Sequence, residues 1–141
     1  MSSPDADTLA VDLHAVAIRL LRHARREDDA TGLTAARLSA LSVLVFGGRA
    51  TLGELARVEQ VSLPTMTRIA AALAQRGYVR RLSDPADRRY VYLEATARGE
   101  KLLDEGRRRR VAHVRALLAP LSAADRRACE RALAALRSVL G

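Results

Sequence analysis

Apolar residues recur at helical spacing near the beginning of the chain and predict two helices there. The first helix is expected from about Thr8 to Arg26, and its apolar face consists of Leu9, Leu13, Val16 and Leu20. Residues 27–32 are polar and break the pattern. Thr34 is suited to cap a second helix, which ends at Gly47-Gly48. The apolar side of this second helix consists of Leu38, Leu41 and Val45.

Two longer helices are expected in the last third of the chain. One begins near Thr96 and continues to Leu118, and Pro120 prevents it from going further. Its apolar side consists of Leu103, Val111, Val114 and Leu118. Ser122 and Asp125 resemble a capping box, so they mark the start of the last helix. The apolar face of that helix consists of Cys129, Leu133, Leu136 and Leu140.

The middle of the chain, from Thr51 to Gly77, predicts two short helices separated by a turn. Thr51 and Glu54 have the spacing of a capping box, which starts the first of them. Ser62 is a good N-cap for the second, Pro64 fits its first turn, and Gly77 follows its end. The residues of the second helix that are expected to face the core are Met66, Ile69, Ala70 and Leu73. Those expected to face outward are Leu63, Pro64, Thr65, Thr67, Arg68 and Ala71.

A two-stranded hairpin is expected to follow these helices. The strands are residues 79–82 and 90–93, and the connecting residues 83–89 contain Pro85 and two aspartates, which favour a turn. Arg88 and Arg89 end this loop, and arginine at a projecting tip suits a narrow, negative DNA minor groove. Two short helices followed by such a hairpin are the plan of a winged helix-turn-helix, which places one helix in the DNA major groove.

Three motifs in this region resemble the MarR-type (multiple-antibiotic-resistance regulator) family of transcription factors. They are V-S-L-P-T-M-T-R-I from Val61, D-P-A-D-R-R-Y-V-Y-L from Asp84, and T-A-R-G from Thr96. The usual wing pattern of the family is D-x-R-D-x-R, an alternating strand and L-T-x-x-G. Here Ala86 replaces the first arginine of that pattern, and Ala95 precedes Thr96 as an additional residue.

The resemblance extends over nearly the whole chain, because the length and the order of the helices fit as well. It implies a mainly α fold, a winged helix-turn-helix with a two-stranded β wing and N- and C-terminal dimerisation helices. Residues 1–141 would then form a single domain. Within it, residues 1–33 and 100–141 are expected to dimerise, and residues 34–99 to form the DNA-binding lobe.

The charge of the chain favours a polyanionic partner. The net charge is +8, and Lys101 is the only lysine among 24 basic residues. Residues 49–90 carry eight arginines against four acids, and residues 107–137 carry nine arginines against two acids. The basic character is therefore not confined to the predicted DNA-binding lobe.

The sequence predicts a cytoplasmic protein. It has no apolar run long enough to span a membrane and no secretory signal, and its single cysteine cannot form an intrachain disulfide. The terminal helices carry more apolar surface than a small winged domain needs, which indicates a partner. The simplest partner is a second copy, so that two DNA-binding lobes meet half-sites about one turn apart on a pseudo-palindromic operator.

Candidate DNA-binding residues on the second short helix are Ser62, Pro64, Thr65, Thr67 and Arg68. The hydroxyl groups among them are suited to contact phosphates or bases. The alternative is that Ser62 only caps the helix and the threonines are ordinary surface. Arg68 is expected to contact guanine, which would contribute roughly 1–3 kcal/mol of discrimination. Its alternative is a solvated arginine.

Candidate residues in the wing are Asp87, Arg88 and Arg89. The resemblance implies that Arg89 enters the minor groove and that Asp87 orients the wing, and Arg88 is expected to contact a phosphate. The alternative is a turn held by an ion pair between Asp87 and one of the arginines. Exposed ion pairs contribute little to stability, so such a pair would fit recognition better than folding.

Other reactive or charged residues are interpreted as structural. Arg107 to Arg110 point all round a helix, so at least one must lie toward the packed side and either extend to solvent or meet an acid. Cys129 could sense oxidants, but its place on an apolar face favours packing. The three histidines form no metal motif, and no catalytic constellation or cofactor motif is found.

Two functions of different class remain. The first is a sequence-specific dimeric regulator, most often a repressor, that a small lipophilic or aromatic-acid ligand releases from DNA; the resemblance implies a ligand cleft between the dimer helices and the DNA-binding lobe. With one Phe and three Tyr, that cleft is expected to consist mainly of Leu, Val and Ala. The second is a non-specific or architectural nucleic-acid binder, which would lose affinity steeply with salt and show no sequence preference.

Overall fold

Six α-helices and a small sheet make up the computed structural model, which describes residues 5–141. The helices are α1 (Ala6–Arg26), α2 (Ala35–Gly47), α3 (Leu52–Val58), α4 (Leu63–Gln75), α5 (Ala97–Leu118) and α6 (Ala123–Leu140). The strands are β1 (Ala50–Thr51), β2 (Val79–Ser83) and β3 (Val91–Ala95). The polar break after α1 forms a 3₁₀-helix, Glu27–Thr31. The mainly α fold with a winged helix-turn-helix is confirmed; residues 1–4 of the predicted dimerisation segment lie outside the described residues.

Local capping chemistry sets most of the helix starts, as the sequence predicted. The Thr51 hydroxyl accepts the Glu54 N–H, and the Glu54 carboxylate accepts the Thr51 N–H, which completes the capping box of α3. Thr34, Ser62, Thr96 and Ser122 each accept a backbone N–H three residues later, at the starts of α2, α4, α5 and α6. Gly77 has φ +76° after α4, a left-handed conformation that glycine adopts without strain.

The hydrophobic core lies under the helix-turn-helix rather than in the long helices. Its five largest fully buried side chains are Leu41, Leu55, Met66, Leu73 and Leu93, which come from α2, α3, α4 and β3. The predicted apolar side of α2 is confirmed, because Leu41 is buried and Leu38 and Val45 pack half-buried against the core, and Ala40 and Leu44 are buried in addition. One face of α4 therefore packs against the core, and the opposite face is exposed to solvent.

The sheet has three antiparallel strands in the order β1-β3-β2, so the predicted two-stranded wing gains a short third strand. The β1 residues Ala50 and Thr51 pair with Leu93 and Tyr92. In the hairpin, Val79 pairs with Ala95 and Ser83 pairs with Val91. The second strand starts one residue later than expected, because Tyr90 belongs to the loop. Its N–H donates to the Asp87 carbonyl oxygen, which closes the loop.

Polar contacts join the end of α1 and the 3₁₀-helix to the middle of α5. Arg110 lies 2.5 Å from the Asp28 carboxylate, so one member of the arginine run meets an acid, as expected for its packed side. The ring nitrogens of His113 and His23 are 3.3 Å apart, and the other His113 ring nitrogen lies 3.4 Å from the Glu27 carboxylate. These contacts join α5 to α1 and to the 3₁₀-helix, in a region where α1 buries no residue.

An extended apolar surface remains uncovered on α1, α5 and α6. Val16 is 60% exposed and Leu133 is 51% exposed, although both lie on faces that the sequence marked as apolar. An open groove of about 900 Å³ follows this surface and is lined by residues such as Leu20, Leu21, Val111 and Leu118. Cys129 is exposed in the single chain, so the expected packing of its side chain is not found within one copy.

The described residues contain no single helix that is long and apolar enough to cross a membrane. One bent pair, Ala6–Thr31 with Ala35–Gly47, reaches that length and composition only when its two parts are taken together, and its bend is 88°.

Candidate nucleic-acid interface

The turn before α4 sets the direction of that helix. Gln60 has φ 56°, the left-handed conformation in which the chain reverses without a glycine. The Val61 N–H donates to the Ala56 carbonyl oxygen at 3.0 Å, which closes the turn against α3. The Ser39 hydroxyl donates to the Glu59 carboxylate at 3.0 Å and ties α2 to the same turn. Hydrogen bonds from α3 and from α2 therefore fix the turn between α3 and α4.

The two faces of α4 differ as the sequence predicted. Met66, Ala70 and Leu73 are buried, and Ile69 is half-buried. The exposed residues of α4 are Leu63, Pro64, Thr67, Arg68, Ala71 and Gln75, and we call the first five of them the outer face of α4. Thr65 was also expected to face outward, but it is half-buried, and both its N–H and its hydroxyl oxygen bond to the Ser62 hydroxyl.

Hydrogen bonds within α4 engage hydroxyls that the sequence proposed for DNA contact. The Ser62 hydroxyl accepts the Thr65 N–H at 3.3 Å and donates to the Thr65 hydroxyl oxygen at 2.9 Å. The Thr67 hydroxyl donates to the Leu63 carbonyl oxygen at 2.9 Å. The alternative roles of capping and helix surface are therefore present in the structure, and phosphate contact by these residues stays a prediction.

The wing loop is organised by its two aspartates. The Asp84 carboxylate accepts the Ala86 N–H at 2.9 Å, and the Asp87 carboxylate accepts the Arg89 N–H at 3.0 Å. The Arg89 guanidinium also donates to both Asp87 oxygens, from Nε at 3.0 Å and from Nη2 at 2.7 Å. The side-chain hydrogen bonds from Arg89, with the backbone one, lower the pKa of Asp87 below its usual value of 3.8.

This ion pair presents Arg89 at the tip of the wing rather than burying it. Its side chain stays largely exposed while the carboxylate fixes its direction. Because exposed pairs contribute little to stability, the pair is better suited to orienting the arginine than to folding. Arg88 is exposed beside it, with no acidic partner within 4 Å among residues 5–141.

Several other arginines of this lobe are engaged within it. Arg80 on β2 pairs with Glu94 on β3 at 2.6 Å, and the Arg49 guanidinium lies 4.9 Å from the centre of the Tyr92 ring. Arg68 has neither kind of partner within the described part of the chain and is exposed on the outer face of α4. Its guanidinium therefore retains all its donors for an external acceptor.

A small pocket lies between α2 of the predicted DNA-binding lobe and α5. Its volume is about 290 Å³, and its lining includes Ser42, Val45, Phe46, Leu103, Arg107 and Arg110. The sequence named no ligand-binding residues and expected any cleft to consist mainly of Leu, Val and Ala; the lining of this pocket also contains Glu100 and Asp104. Among residues 5–141, no group of three or more His, Cys, Asp or Glu side chains could hold a metal ion.

Comparison with known proteins identifies the family. Residues 33–91 match the sequence profile of the MarR family. The chain is 37% identical over 123 residues to the HTH-type transcriptional regulator Mb0904 of Mycobacterium bovis, a match that covers 86% of each chain. This chain belongs to the MarR family. It is therefore a DNA-binding transcription regulator and not an enzyme.

Solved structures agree with this placement of the MarR chain. The transcriptional regulator Tm0710 of Thermotoga maritima is similar with a TM-score of 0.84 and 25% identity, over 95% of this chain and 94% of that one. NadR, solved in complex with 4-hydroxyphenylacetate, is similar with a TM-score of 0.62 and 25% identity, over 96% of each chain.

Proposed function

We propose that this MarR chain is a homodimeric repressor that binds a pseudo-palindromic operator and is released by a small ligand. The observation that carries DNA reading is the outer face of α4, where Arg68 is exposed and has no acidic partner among the described residues. A recognition helix presents such a side chain to base edges in the major groove. The Ser62 cap fixes where α4 starts and therefore where Arg68 lies along the helix.

The wing adds a second contact beside the recognition helix. The Asp87 carboxylate holds the Arg89 guanidinium at the loop tip, which suits insertion into the minor groove. Arg88 contacts a phosphate on this proposal. Ser62, Pro64, Thr65 and Thr67 complete the contact surface, with the hydroxyl oxygens still able to accept hydrogen bonds.

Dimerisation is supported by the uncovered apolar surface of α1, α5 and α6. Among the described residues, large apolar side chains are exposed on each of these three helices, such as Val16 on α1, Val111 on α5 and Leu133 on α6. On this proposal residues 1–33 and 100–141 dimerise, residues 34–99 read DNA, and the protein acts in the cytoplasm with the chromosome.

The proposed ligand site is the pocket between α2 and α5, because α5 joins the dimer helices to the DNA-binding lobe. The larger groove is less suited to this role, since the second copy would cover it. NadR binds 4-hydroxyphenylacetate, and Arg107 in the pocket lining supplies a cation for a carboxylate of this kind. Occupancy would change the separation of the two DNA-binding lobes, and DNA would weaken ligand binding by the same factor.

The DNA-binding proposal is tested by selection from a randomised duplex pool at near-physiological salt. We expect the unaltered chain to recover a two-fold-symmetric motif with half-sites about one turn apart. Arg68→Ala should lose roughly tenfold or more of the discrimination at one base position per half-site. Arg89→Ala should weaken binding to all sequences, whereas Lys101→Ala, which removes the same charge from α5, should change little.

A non-specific binder would give a different result in the same experiment. No motif would emerge, and affinity would simply fall with salt for every variant. That outcome would overturn the regulator proposal in its central claim.

Ligand release is tested with 4-hydroxyphenylacetate as the probe. We expect it to weaken operator binding, and Arg107→Gln to raise the concentration for half-release by about tenfold, because a charged hydrogen bond is lost. Lys101→Gln is the matched control, since it removes the same charge from the same helix and neither Lys101 nor its ion-pair partner Glu105 is part of the pocket lining. If 4-hydroxyphenylacetate released both variants from the operator at the same concentration, this pocket would not be the ligand site.

A further inference from the structure

The N-terminal end of α4 exposes apolar side chains. Leu63, the first residue of the helix, is 53% exposed on the outer face, and the Pro64 ring is exposed next to it. A large aliphatic side chain in that position contributes nothing to the buried core. The Leu63 side chain is therefore available to an external partner.

Hydrogen bonding makes Thr67 part of this apolar surface. Its hydroxyl donates back to the Leu63 carbonyl oxygen at 2.9 Å, so its proton is not available to a base. The Ser62 hydroxyl proton is likewise used, by the Thr65 hydroxyl. The exposed apolar groups at this end of the helix are the Leu63 side chain, the Pro64 ring and the Thr67 methyl group.

Helical spacing puts these groups beside Arg68. Residues four apart share a face, so Leu63 lies in line with Thr67, and Pro64 lies in line with Arg68. The two rows are adjacent. The outer face of α4 thus combines an apolar patch, formed by Leu63, Pro64 and Thr67, with one unengaged guanidinium.

We propose that Leu63 is a specificity-determining residue that contacts the C5-methyl group of a thymine next to the base read by Arg68. The inference rests on the proposed function and specifies it further. In the major groove thymine is the base that presents a methyl group, and apolar side chains are its usual partners. The operator half-site then contains a thymine close to a guanine, and it is read partly by burial of a methyl group.

The test uses the operator recovered from the duplex pool and replaces each half-site thymine in turn with deoxyuridine. This change deletes only the C5-methyl group of the base. Because the duplexes contain no 5-methylcytosine, thymine is the only base in them that presents a methyl group in the major groove. At one thymine per half-site we expect affinity to fall about three- to fivefold, the effect of exposing one buried methyl group. Leu63→Ala should bind thymine and deoxyuridine there equally, and Leu63→Met should retain the preference.

The outcomes separate this inference from the proposed function. Selective operator binding with no loss at any deoxyuridine would overturn the methyl contact and leave the regulator intact. An equal loss in the unaltered chain and in Leu63→Ala would show that another residue reads the methyl group. Failure to recover any preferred sequence would instead refute the proposed function, and the methyl contact with it.

Discussion

Replacing Gly99 with alanine is expected to lower the free energy of unfolding by about 3 kcal/mol or more. Gly99 is buried in the first turn of α5, and a Cβ there would overlap the carbonyl oxygen of Tyr78. It would also come within 3.1 Å of a Leu41 methyl group in the core. Because a backbone oxygen cannot move away as a flexible side chain does, α5 must shift or the local fold must open.

The same contact joins α5 to the DNA-binding lobe. The Thr96 N–H donates to the Tyr78 carbonyl oxygen at 3.0 Å, and the Thr96 hydroxyl donates to the Gly77 carbonyl oxygen at 2.5 Å. Displacing α5 therefore disturbs the segment between α4 and the wing. We expect operator affinity of Gly99→Ala to fall along with thermal stability, by on the order of 10 °C in Tm.

Gly106→Ala is the matched control for this prediction. Gly106 is also buried on α5, but a Cβ there would lie 3.5 Å from the end of the flexible Arg110 side chain. Alanine has a higher helix propensity than glycine, by about 1 kcal/mol, so this variant should be neutral or more stable. Denaturant unfolding of both variants checks the prediction, and equal stability of the two would contradict it.

Local signals explain how much of the fold the sequence could predict. Helix starts depend on a hydroxyl and an N–H three residues apart, so Ser62 and Thr96 mark them without knowledge of the rest of the chain. The glycine of T-A-R-G is different, since its buried contact with Tyr78 depends on how α5 packs. The sequence contained that glycine, but only the structure gives its physical reason.

Contacts between distant residues were not predictable in this way. β1 is two residues long and exists only because Ala50 and Thr51 pair with β3. His23 and His113 are far apart in sequence, and nothing in either neighbourhood indicates that their rings meet. The same holds for the pair of Asp28 and Arg110, although charge arguments did require one arginine of that run either to extend to solvent or to meet an acid.

The sequence predicted which residues of the candidate site are exposed better than it predicted how their side chains are hydrogen-bonded. Helical periodicity correctly put Leu63, Thr67 and Arg68 on one exposed face. It could not show that the Thr67 hydroxyl bonds back to the helix, since that depends on a side-chain rotamer. This bond engages the hydroxyl proton of Thr67 beside the exposed Leu63 and Pro64, and it supports the methyl-reading inference. The DNA contacts themselves stay predictions.

The second large effect is expected from Leu133→Asp, which places a charge on the uncovered apolar surface of α6. Leu133 is 51% exposed in one chain, so the variant should fold as a monomer. If a second copy covers this surface, a buried unpaired carboxylate would prevent association. Each monomer would then hold a single half-site, and affinity for the full operator should fall by about 100-fold or more, because the second contact is no longer intramolecular.

Sedimentation checks the oligomeric state of the variant. Its affinities for a full operator and for an isolated half-site check the predicted loss of DNA binding. Ala135→Asp is the matched control, because it adds the same charge to α6 two residues away, on the opposite side of the helix. It should remain dimeric and bind the full operator normally. Leu133→Asp should bind the isolated half-site as well as the unaltered chain does, since the outer face of α4 is unchanged. A dimeric Leu133→Asp with normal operator affinity would mean that the apolar surface of α6 does not form the interface.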